Sequence, residues 1–422
     1  MIGALGGACV VVAAGPRSLR VAAFVSLLCH LVLLGVIAVV GYGFFHVDDP
    51  ANYDRVAVWL AGQWRQGVVP DLSKTQWLIS SFGYYYWIAA LYQLFGHHPL
   101  IVQLANVIFA LAVGTLTFRI AKRLAATDHV AWLAAVAALF YPTLAIWSVM
   151  MLKDIFAGFL LLACIELTFL ACERPAWWRW FALAATGYAV STLRFYFGIL
   201  ELGIGSIAPL LLGVRPKRSA YAGAALLAFT LAASFGVGEG YWYLQALRTK
   251  GRVAQVTAGL ARGGSSVEFG CGGGRIPSGT TKDLLPGVDP ASPWAHGAPP
   301  LALRENLAVK IGRFFVVPLP CQGGSLLIEI GKVDWLFWWP LLILALFGMK
   351  RALTFSWQRT LIVVLPIAAL VVFYADTIGN AGTLIRYRGA LFPLFAVLGG
   401  LGLDELTAVF PARVRALWER FA

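Results

Sequence analysis

The sequence has few charged residues. Only 13% of its 422 residues are Asp, Glu, Lys or Arg, and 60% are hydrophobic, whereas a soluble globular protein carries about 25% charged residues. Apolar runs of about 20 residues, the length that crosses the hydrocarbon core of a bilayer, recur along the chain. These features exclude a soluble globular protein and predict an all-α polytopic membrane protein.

Sequence motifs of zinc sites and of phosphate-binding loops are also missing. The six cysteines form no Cys-x-x-Cys pair and show no Cys/His spacing of a zinc site. The segment GGGRIPSGTT (272–281) lacks the Gly-Lys-Ser/Thr core of a phosphate loop. The net charge of +13 fits the concentration of Lys and Arg in cytoplasmic loops better than nucleic-acid binding. We therefore expect membrane lipids, and no nucleic acid, as partners.

The apolar runs predict ten spans with both termini in the cytoplasm. The predicted spans are 22–43, 100–118, 130–149, 154–172, 177–213 (two spans divided near Arg194), 219–238, 334–349, 359–376 and 389–409. The aromatic segment 84–96 is too short for a crossing and fits an interfacial helix. With this segment outside the bilayer core, every short cytoplasmic loop carries a basic cluster, as the positive-inside rule requires.

The spans divide the chain into three parts. Residues 1–238 form an N-terminal transmembrane module, whose first external loop covers 44–99. Residues 239–333 form a long extracytoplasmic loop between spans 7 and 8, and residues 334–422 form a C-terminal transmembrane module. Cys271 and Cys321 share the long loop on the oxidising side of the membrane, so they are candidates for a disulfide bond.

Polar residues collect at the external ends of the predicted spans. They are Asp48, Asp49, Asp54, Lys153, Asp154, Arg194, Asp376, Asn380, Arg386, Tyr387 and Arg388. Arg and Lys suit phosphate, and a carboxylate suits activation of an attacking hydroxyl. The collection indicates a site at the membrane–water interface for a ligand with an anionic head and a lipid tail.

Each of these residues also has a structural explanation. Asp48 and Asp49 can be the solvated start of a loop, Asp154 a favourable charge at a helix N-terminus, and Arg194 a side chain that reaches the interface. Their coincidence on one side of the membrane, against the charge bias, favours the functional interpretation.

The order of these features resembles the GT-C glycosyltransferases of the protein-mannosyltransferase and lipid A aminoarabinose transferase type. The resemblance rests on an Asp motif with a following Tyr after span 1, an aromatic stretch ending Leu-Phe-Gly, an Arg-bearing turn, and Arg-Tyr-Arg before a Pro-containing last span. These are DDPANYDRVAVWLAGQW (48–64), FGYYYWIAALYQLFG (82–96), STLRFYFG (191–198) and GTLIRYRGALFPLFAVLGGLGLDEL (382–406).

The resemblance implies an inverting hexosyl- or pentosyltransferase of the bacterial inner membrane, with its active site facing the periplasm. The donor would be a polyprenyl-phosphate-linked sugar, and the acceptor a hydroxyl of a glycan, lipid or protein. The family's catalytic base corresponds to Asp49, with Asp48 as the second candidate. No cofactor is implied with certainty, because the chain shows no complete ligand set, and a divalent metal is left open.

The remaining site residues take two roles in this interpretation. Those expected to bind the donor phosphate are Arg194 first, then Arg386, Arg388 and Lys153. Those expected to orient the acceptor or a metal are Tyr53, Asp154 and Tyr387.

Two other functions stay open at this point. A transporter or flippase for a lipid-linked glycan would share the polytopic body and the external basic residues. It predicts charged residues near span centres and an inverted repeat between the halves, whereas we expect the charges to lie at span ends. An O-antigen polymerase or ligase would concentrate its motif in the late loop, and the early Asp pair argues against it.

Overall fold

The computed structural model describes residues 2–41, 49–68, 70, 82–213, 218–236, 307–321, 326–377 and 381–409. Within these ranges the chain is helical and contains no β-strand. The helices are α1 (Ile2–Ala13), α2 (Arg17–Val40), α3 (Asp49–Arg65), α4 (Phe82–Phe95), α5 (Pro99–Arg123), α6 (Asp128–Leu139), α7 (Pro142–Ser148), α8 (Asp154–Glu173), α9 (Trp177–Leu193), α10 (Phe195–Leu211), α11 (Arg218–Gly236), α12 (Leu307–Val316), α13 (Leu326–Thr377) and α14 (Ala381–Val409).

Five segments are long and apolar enough to cross a membrane. They are Arg17–Val40, Pro99–Arg123, Asp154–Glu173, Glu329–Asp376 and Thr383–Thr407. A sixth crossing results if α6 and α7, which meet at a bend of 53°, form one broken span. The described helices therefore support the predicted all-α integral membrane protein. By length and composition they account for five or six spans, whereas the sequence predicts ten.

The breaks in the long helices have local causes. Pro142 is the first residue of α7, and it cannot continue the hydrogen-bond ladder of α6 because it lacks an N–H. Ser356 has φ −162° and ψ 99° and interrupts the 52 residues of α13. Unbroken, α13 would be about 80 Å long, far more than the hydrocarbon thickness of about 30 Å. Ser356 therefore separates two helices.

Helix α14 packs along α13 and also contacts α5, α6 and α8. The contact between α13 and α14 is backbone to backbone. A Cβ atom added at Gly348 would collide with the Leu398 carbonyl oxygen, and one at Gly402 with the Leu344 carbonyl oxygen. Glycine at both positions lets the two helices approach closely, which fixes the rotation of α14.

The first predicted external loop contains a packed pair of helices, α3 and α4. Tyr53 of α3 contacts Tyr84 and Tyr85 of α4, with ring centroids 4.9 and 5.3 Å apart. The helix expected over 84–96 is confirmed as α4, Phe82–Phe95. At about 21 Å this helix is shorter than the hydrocarbon core. It contacts α3, α5 and α9 and buries four of its aromatic residues, Tyr84, Tyr85, Trp87 and Tyr92.

Candidate active site

Two aspartates and two arginines form a continuous chain of ion pairs. Arg386 Nη1 donates to Asp49 Oδ2 at 2.6 Å. The Nε and Nη2 atoms of Arg386 contact Asp154 Oδ2, and Arg194 Nη2 donates to Asp154 Oδ1. The order Asp49–Arg386–Asp154–Arg194 joins α3, α14, α8 and the junction of α9 and α10. The tertiary fold therefore assembles four residues that the sequence separates widely.

Each member occupies the end of a helix or lies near one. Asp49 and Asp154 are the first residues of α3 and α8, where the helix dipole stabilises a negative charge. Arg194 is the single residue between α9 and α10, with φ −147° and ψ 98°. Arg386 lies in the second turn of α14. The ends of five helices, α3, α8, α9, α10 and α14, thus converge on one place.

Exposure falls steadily along the ion-pair chain. The side chain of Asp49 is 52% exposed, that of Arg386 12%, that of Asp154 6% and that of Arg194 5%. A buried ion pair persists only when its hydrogen bonds compensate for lost hydration, and Asp154 receives bonds from both arginines. Asp49 is therefore the accessible carboxylate, and Arg386 is its accessible cationic partner.

Aromatic side chains enclose the two arginines. The Arg194 guanidinium carbon lies 3.9 Å from the Tyr387 ring centroid, and Arg194 Nη1 donates to the Tyr196 hydroxyl at 2.6 Å. The Arg386 guanidinium carbon lies 5.7 Å from the Trp147 ring centroid. Cation–π contacts of this kind favour the charged guanidinium when it is desolvated.

Two tyrosines lie at the Asp49 end of the site. Burial, and then the nearby Asp49 charge, raise the pKa of Tyr85 to about 12. The same two causes raise the pKa of Tyr53 well above its ordinary value. Asn52 Nδ2 donates to the Tyr85 hydroxyl at 3.3 Å. Both phenols therefore stay protonated at neutral pH and retain a hydrogen-bond donor.

The turn that precedes Asp154 is held by amide side chains from α5. Gln103 Nε2 donates to the Val149 carbonyl oxygen at 2.7 Å. Asn106 Nδ2 donates to two further carbonyl oxygens of the turn, at 2.9 and 3.0 Å. These bonds fix the backbone at the start of α8 and with it the position of Asp154. Lys153 is close enough to Asp154 to interact with it electrostatically.

A separate set of polar contacts joins α3 to the end of α4. The Tyr92 hydroxyl donates to Asp54 Oδ1 at 2.5 Å, and His97 Nε2 lies 2.9 Å from the same oxygen. Asp54 is thus occupied by partners other than the ion-pair chain, although it is only five residues from Asp49.

Arg388 does not join Arg386. Two residues apart on a helix, the two side chains point about 200° apart, and Arg388 is fully buried. Its Nη1 atom lies 3.4 Å from the carbonyl oxygens of Phe314 and Phe315, and its guanidinium carbon lies 5.0 Å from the Trp338 ring centroid. Arg388 therefore contacts α12 and α13 instead of the accessible end of the site.

The structure brings most of the predicted site residues together. The assembled residues are Asp49, Tyr53, Lys153, Asp154, Arg194, Arg386 and Tyr387. Asp48 and Cys271 lie outside the described residues. Cys321 forms a disulfide bond, and the other described cysteines are free.

Sequence reasoning missed three buried acids, of which Asp334 begins a predicted span and two lie inside predicted spans. Glu166 lies in α8 and Glu201 in α10, and both are buried. The expectation that charges lie only at span ends is therefore wrong. Each of the two inside a span, Glu166 and Glu201, is visible in the sequence as a single acidic residue within an apolar run, LACIELTFL or GILELGIG. Their partners depend on the tertiary packing.

The described residues offer no group of three or more His, Cys, Asp or Glu side chains that could hold a metal ion. Asp49 and Asp154 each bind Arg386, so a guanidinium links the two carboxylates. We therefore derive the chemistry of the site from its side chains, with no step that passes through a metal.

The chain was also compared with known proteins. No model of a protein family matches it, and no curated protein matches it significantly. The likeness to the GT-C glycosyltransferases thus rests on the motifs quoted above.

Proposed function

We propose that the protein is an integral membrane glycosyltransferase of the GT-C type. It transfers a hexose or pentose, with inversion, from a polyprenyl-phosphate donor to a hydroxyl of a glycan, lipid or protein. The contact between Asp49 and Arg386 carries this proposal. An inverting transfer needs a base beside the acceptor and a cation beside the leaving phosphate, and this pair offers both at the accessible end of a buried network.

In the proposed reaction, Asp49 accepts the proton of the acceptor hydroxyl while the hydroxyl oxygen attacks the anomeric carbon. The bond between that carbon and the phosphate oxygen breaks, and its electron pair leaves with the polyprenyl phosphate. Arg386 and Lys153 stabilise the charge that develops on the phosphate. Tyr53 and Tyr85 supply hydroxyl groups that can orient the acceptor.

The ion pair with Arg386 must loosen before Asp49 can act, because Arg386 Nη1 occupies the Asp49 Oδ2 atom. We infer that the donor phosphate competes with Asp49 for Arg386 Nη1. The Nε and Nη2 atoms keep their contacts with Asp154, so Arg386 stays anchored while Asp49 is released. Donor binding would thereby activate the base.

The burial of Arg194 favours a supporting role for this residue. Its contacts are with Asp154, Tyr196 and Tyr387, and it reaches the phosphate only if these contacts open. We therefore place Arg386 ahead of Arg194 among the phosphate ligands. Arg194 holds Asp154, and Asp154 in turn holds Arg386.

We further propose ten spans, with the site at the periplasmic end of a bacterial inner-membrane protein. The proposed spans are α2, α5, α6 with α7, α8, α9, α10, α11, the two parts of α13, and α14. The 20 residues of α8 extend about 30 Å from Asp154 to Glu173. Glu173 pairs with Arg123 and Arg359, which belong to predicted cytoplasmic clusters. The basic end and the candidate site thus lie at opposite ends of one span.

A transporter of lipid-linked glycans is the second candidate. One observation favours it: Glu201 is buried within α10, and ionisable residues inside membrane helices are common on transport pathways. The two functions differ in their products, because a transferase releases polyprenyl phosphate and a transporter does not.

The test uses the full chain in vesicles with a radiolabelled polyprenyl-phosphate sugar and a hydroxyl acceptor. We expect label in the acceptor and an equal amount of free polyprenyl phosphate. Movement of intact donor across the bilayer, with no release of polyprenyl phosphate, would instead support transport.

A further inference from the structure

Glu201 is a buried carboxyl group with no bonding partner in the described part of the chain. It lies near the middle of α10 and is 0% exposed. Neither of its carboxyl oxygens has a hydrogen-bond partner there. This environment differs from that of every aspartate in the ion-pair chain.

A second buried polar group without a partner among the described residues lies on the neighbouring helix α8. This group is Thr168 Oγ1. A Cβ atom added at Gly205, one turn after Glu201, would lie 3.7 Å from this oxygen. The Cys164 thiol, one turn before Thr168, interacts electrostatically with Glu201. The three polar groups therefore lie at the contact between α8 and α10.

The described residues around Glu201 supply it with no cation. Helices α8, α9, α11 and α13 pack against α10. Of the charged and titratable groups that the structure describes on these helices, the Cys164 thiol of α8 is the one that interacts with Glu201, and α9, α11 and α13 contribute none. Burial therefore acts on this carboxyl group without an opposing charge.

Glu166, on the neighbouring helix α8, is buried as Glu201 is but has a cationic partner. Its two carboxyl oxygens lie 2.9 and 3.3 Å from Arg123 nitrogens. An ionised carboxylate that is buried without such a partner is strongly disfavoured. A bound proton removes the charge and adds one hydrogen-bond donor to the carboxyl group, and Thr168 Oγ1 on the neighbouring helix is an acceptor without a partner among the described residues.

We propose that Glu201 is a proton-binding site inside the transmembrane module, in which the carboxylic acid stays neutral and packs against Thr168 and Cys164. Release of the proton would place an unpaired charge between α8 and α10 and draw water into their contact. Asp154 begins α8, and Arg194 directly precedes α10. Deprotonation of Glu201 would therefore separate the helices that carry this ion pair.

Infrared spectroscopy of the purified full chain tests the proton directly. The wild type at neutral pH should show a carbonyl band of a protonated carboxylic acid that shifts in D₂O. The band should disappear in Glu201→Gln, move in Thr168→Val and persist in the matched control Glu166→Gln. Absence of the band in the wild type, or its survival in Glu201→Gln, would overturn the proposal.

Thermal unfolding supplies a second measurement. Glu201→Gln should leave the Tm of the wild type unchanged, because it replaces one neutral group by another. Glu166→Gln should lower the Tm, because it leaves Arg123 with a weaker partner. The Tm should not depend on the identity of the cation when Na⁺ or K⁺ is added at constant ionic strength. A rise in Tm with either ion in the wild type, and not in Glu201→Gln, would show that Glu201 binds a metal cation in place of the proton and would contradict the proposal. If Glu201→Gln does not fold, a pH titration of the wild-type band decides.

The functional consequence can be separated from the proposed reaction. Turnover of the wild type should fall reversibly at alkaline pH, whereas Glu201→Gln should keep its turnover over the same range. Equal alkaline loss in both proteins would contradict a role for this proton while leaving the glycosyltransferase proposal intact. Absence of transfer at every pH would contradict the proposed reaction alone, because the infrared band does not depend on turnover.

Discussion

Arg386 Nη1 lies 2.6 Å from Asp49 Oδ2, although the two residues are 337 positions apart in the chain. This contact connects the start of α3 with the start of α14. It makes Arg386 the link between the accessible Asp49 and the buried pair of Asp154 and Arg194.

Arg386 and Arg388 form a natural pair for comparison, because they lie two residues apart on opposite faces of α14. We expect Arg386→Gln to raise the KM for the lipid-linked donor by about 10- to 100-fold, the effect of losing a hydrogen bond to a charged group. Arg388→Gln should lower the Tm and leave this KM unchanged. A larger KM effect at Arg388, measured by steady-state kinetics, would reverse the assignment.

Asp154 is expected to matter for stability as much as for turnover. Asp154→Asn leaves the buried Arg194 without its anionic partner, which costs about 3–5 kcal/mol, so the Tm in detergent should drop sharply. The double variant Asp154→Asn with Arg194→Met should recover part of that loss, because it also removes the unpaired charge. A loss of stability in the double variant equal to the sum of the losses in the two single variants would show that Asp154 and Arg194 are not coupled.

Asn106 should act on the site from a distance. Asn106→Leu removes the donor to two carbonyl oxygens of the turn before α8, at about 1–3 kcal/mol for each unsatisfied group. We expect a lower kcat and a higher donor KM, because Asp154 loses its fixed position and Arg386 loses the anchor that Asp154 provides. Thr117→Val is a suitable control, since Thr117 bonds only within α5. Equal kcat values for both variants would contradict the positioning role.

The topology can be tested on the two sides of α13. In a background without the exposed Cys9 and Cys29, Thr354→Cys should react with an impermeant maleimide only from the cytoplasm, and Asp376→Cys only from the periplasm. Both positions are exposed, and about 20 residues of helix separate them. Labelling of both from one side would contradict two spans within α13.

Parts of this fold follow from local sequence and parts do not. The helix over 84–96 and the break before Pro142 are local effects of composition and of a missing N–H group. The separation of Arg386 from Arg388 follows from helix geometry, but the face that meets Asp49 depends on how Gly348 and Gly402 seat α14 against α13. Likewise, Glu166 and Glu201 look alike in the sequence, and it is tertiary packing that pairs Glu166 with Arg123 and leaves Glu201 without a cation among the described residues.

The central claim is that Asp49 is the base of the transfer. The most direct measurement is the turnover of Asp49→Asn in vesicles with labelled donor, compared with Asp54→Asn, which alters an aspartate bound to Tyr92 and His97, and with Asp48→Asn. We predict that Asp49→Asn lowers turnover by about 10²- to 10⁴-fold, the usual contribution of a general base, while donor binding is retained and both other variants keep most of their turnover. Full turnover in a well-expressed Asp49→Asn protein would contradict the account.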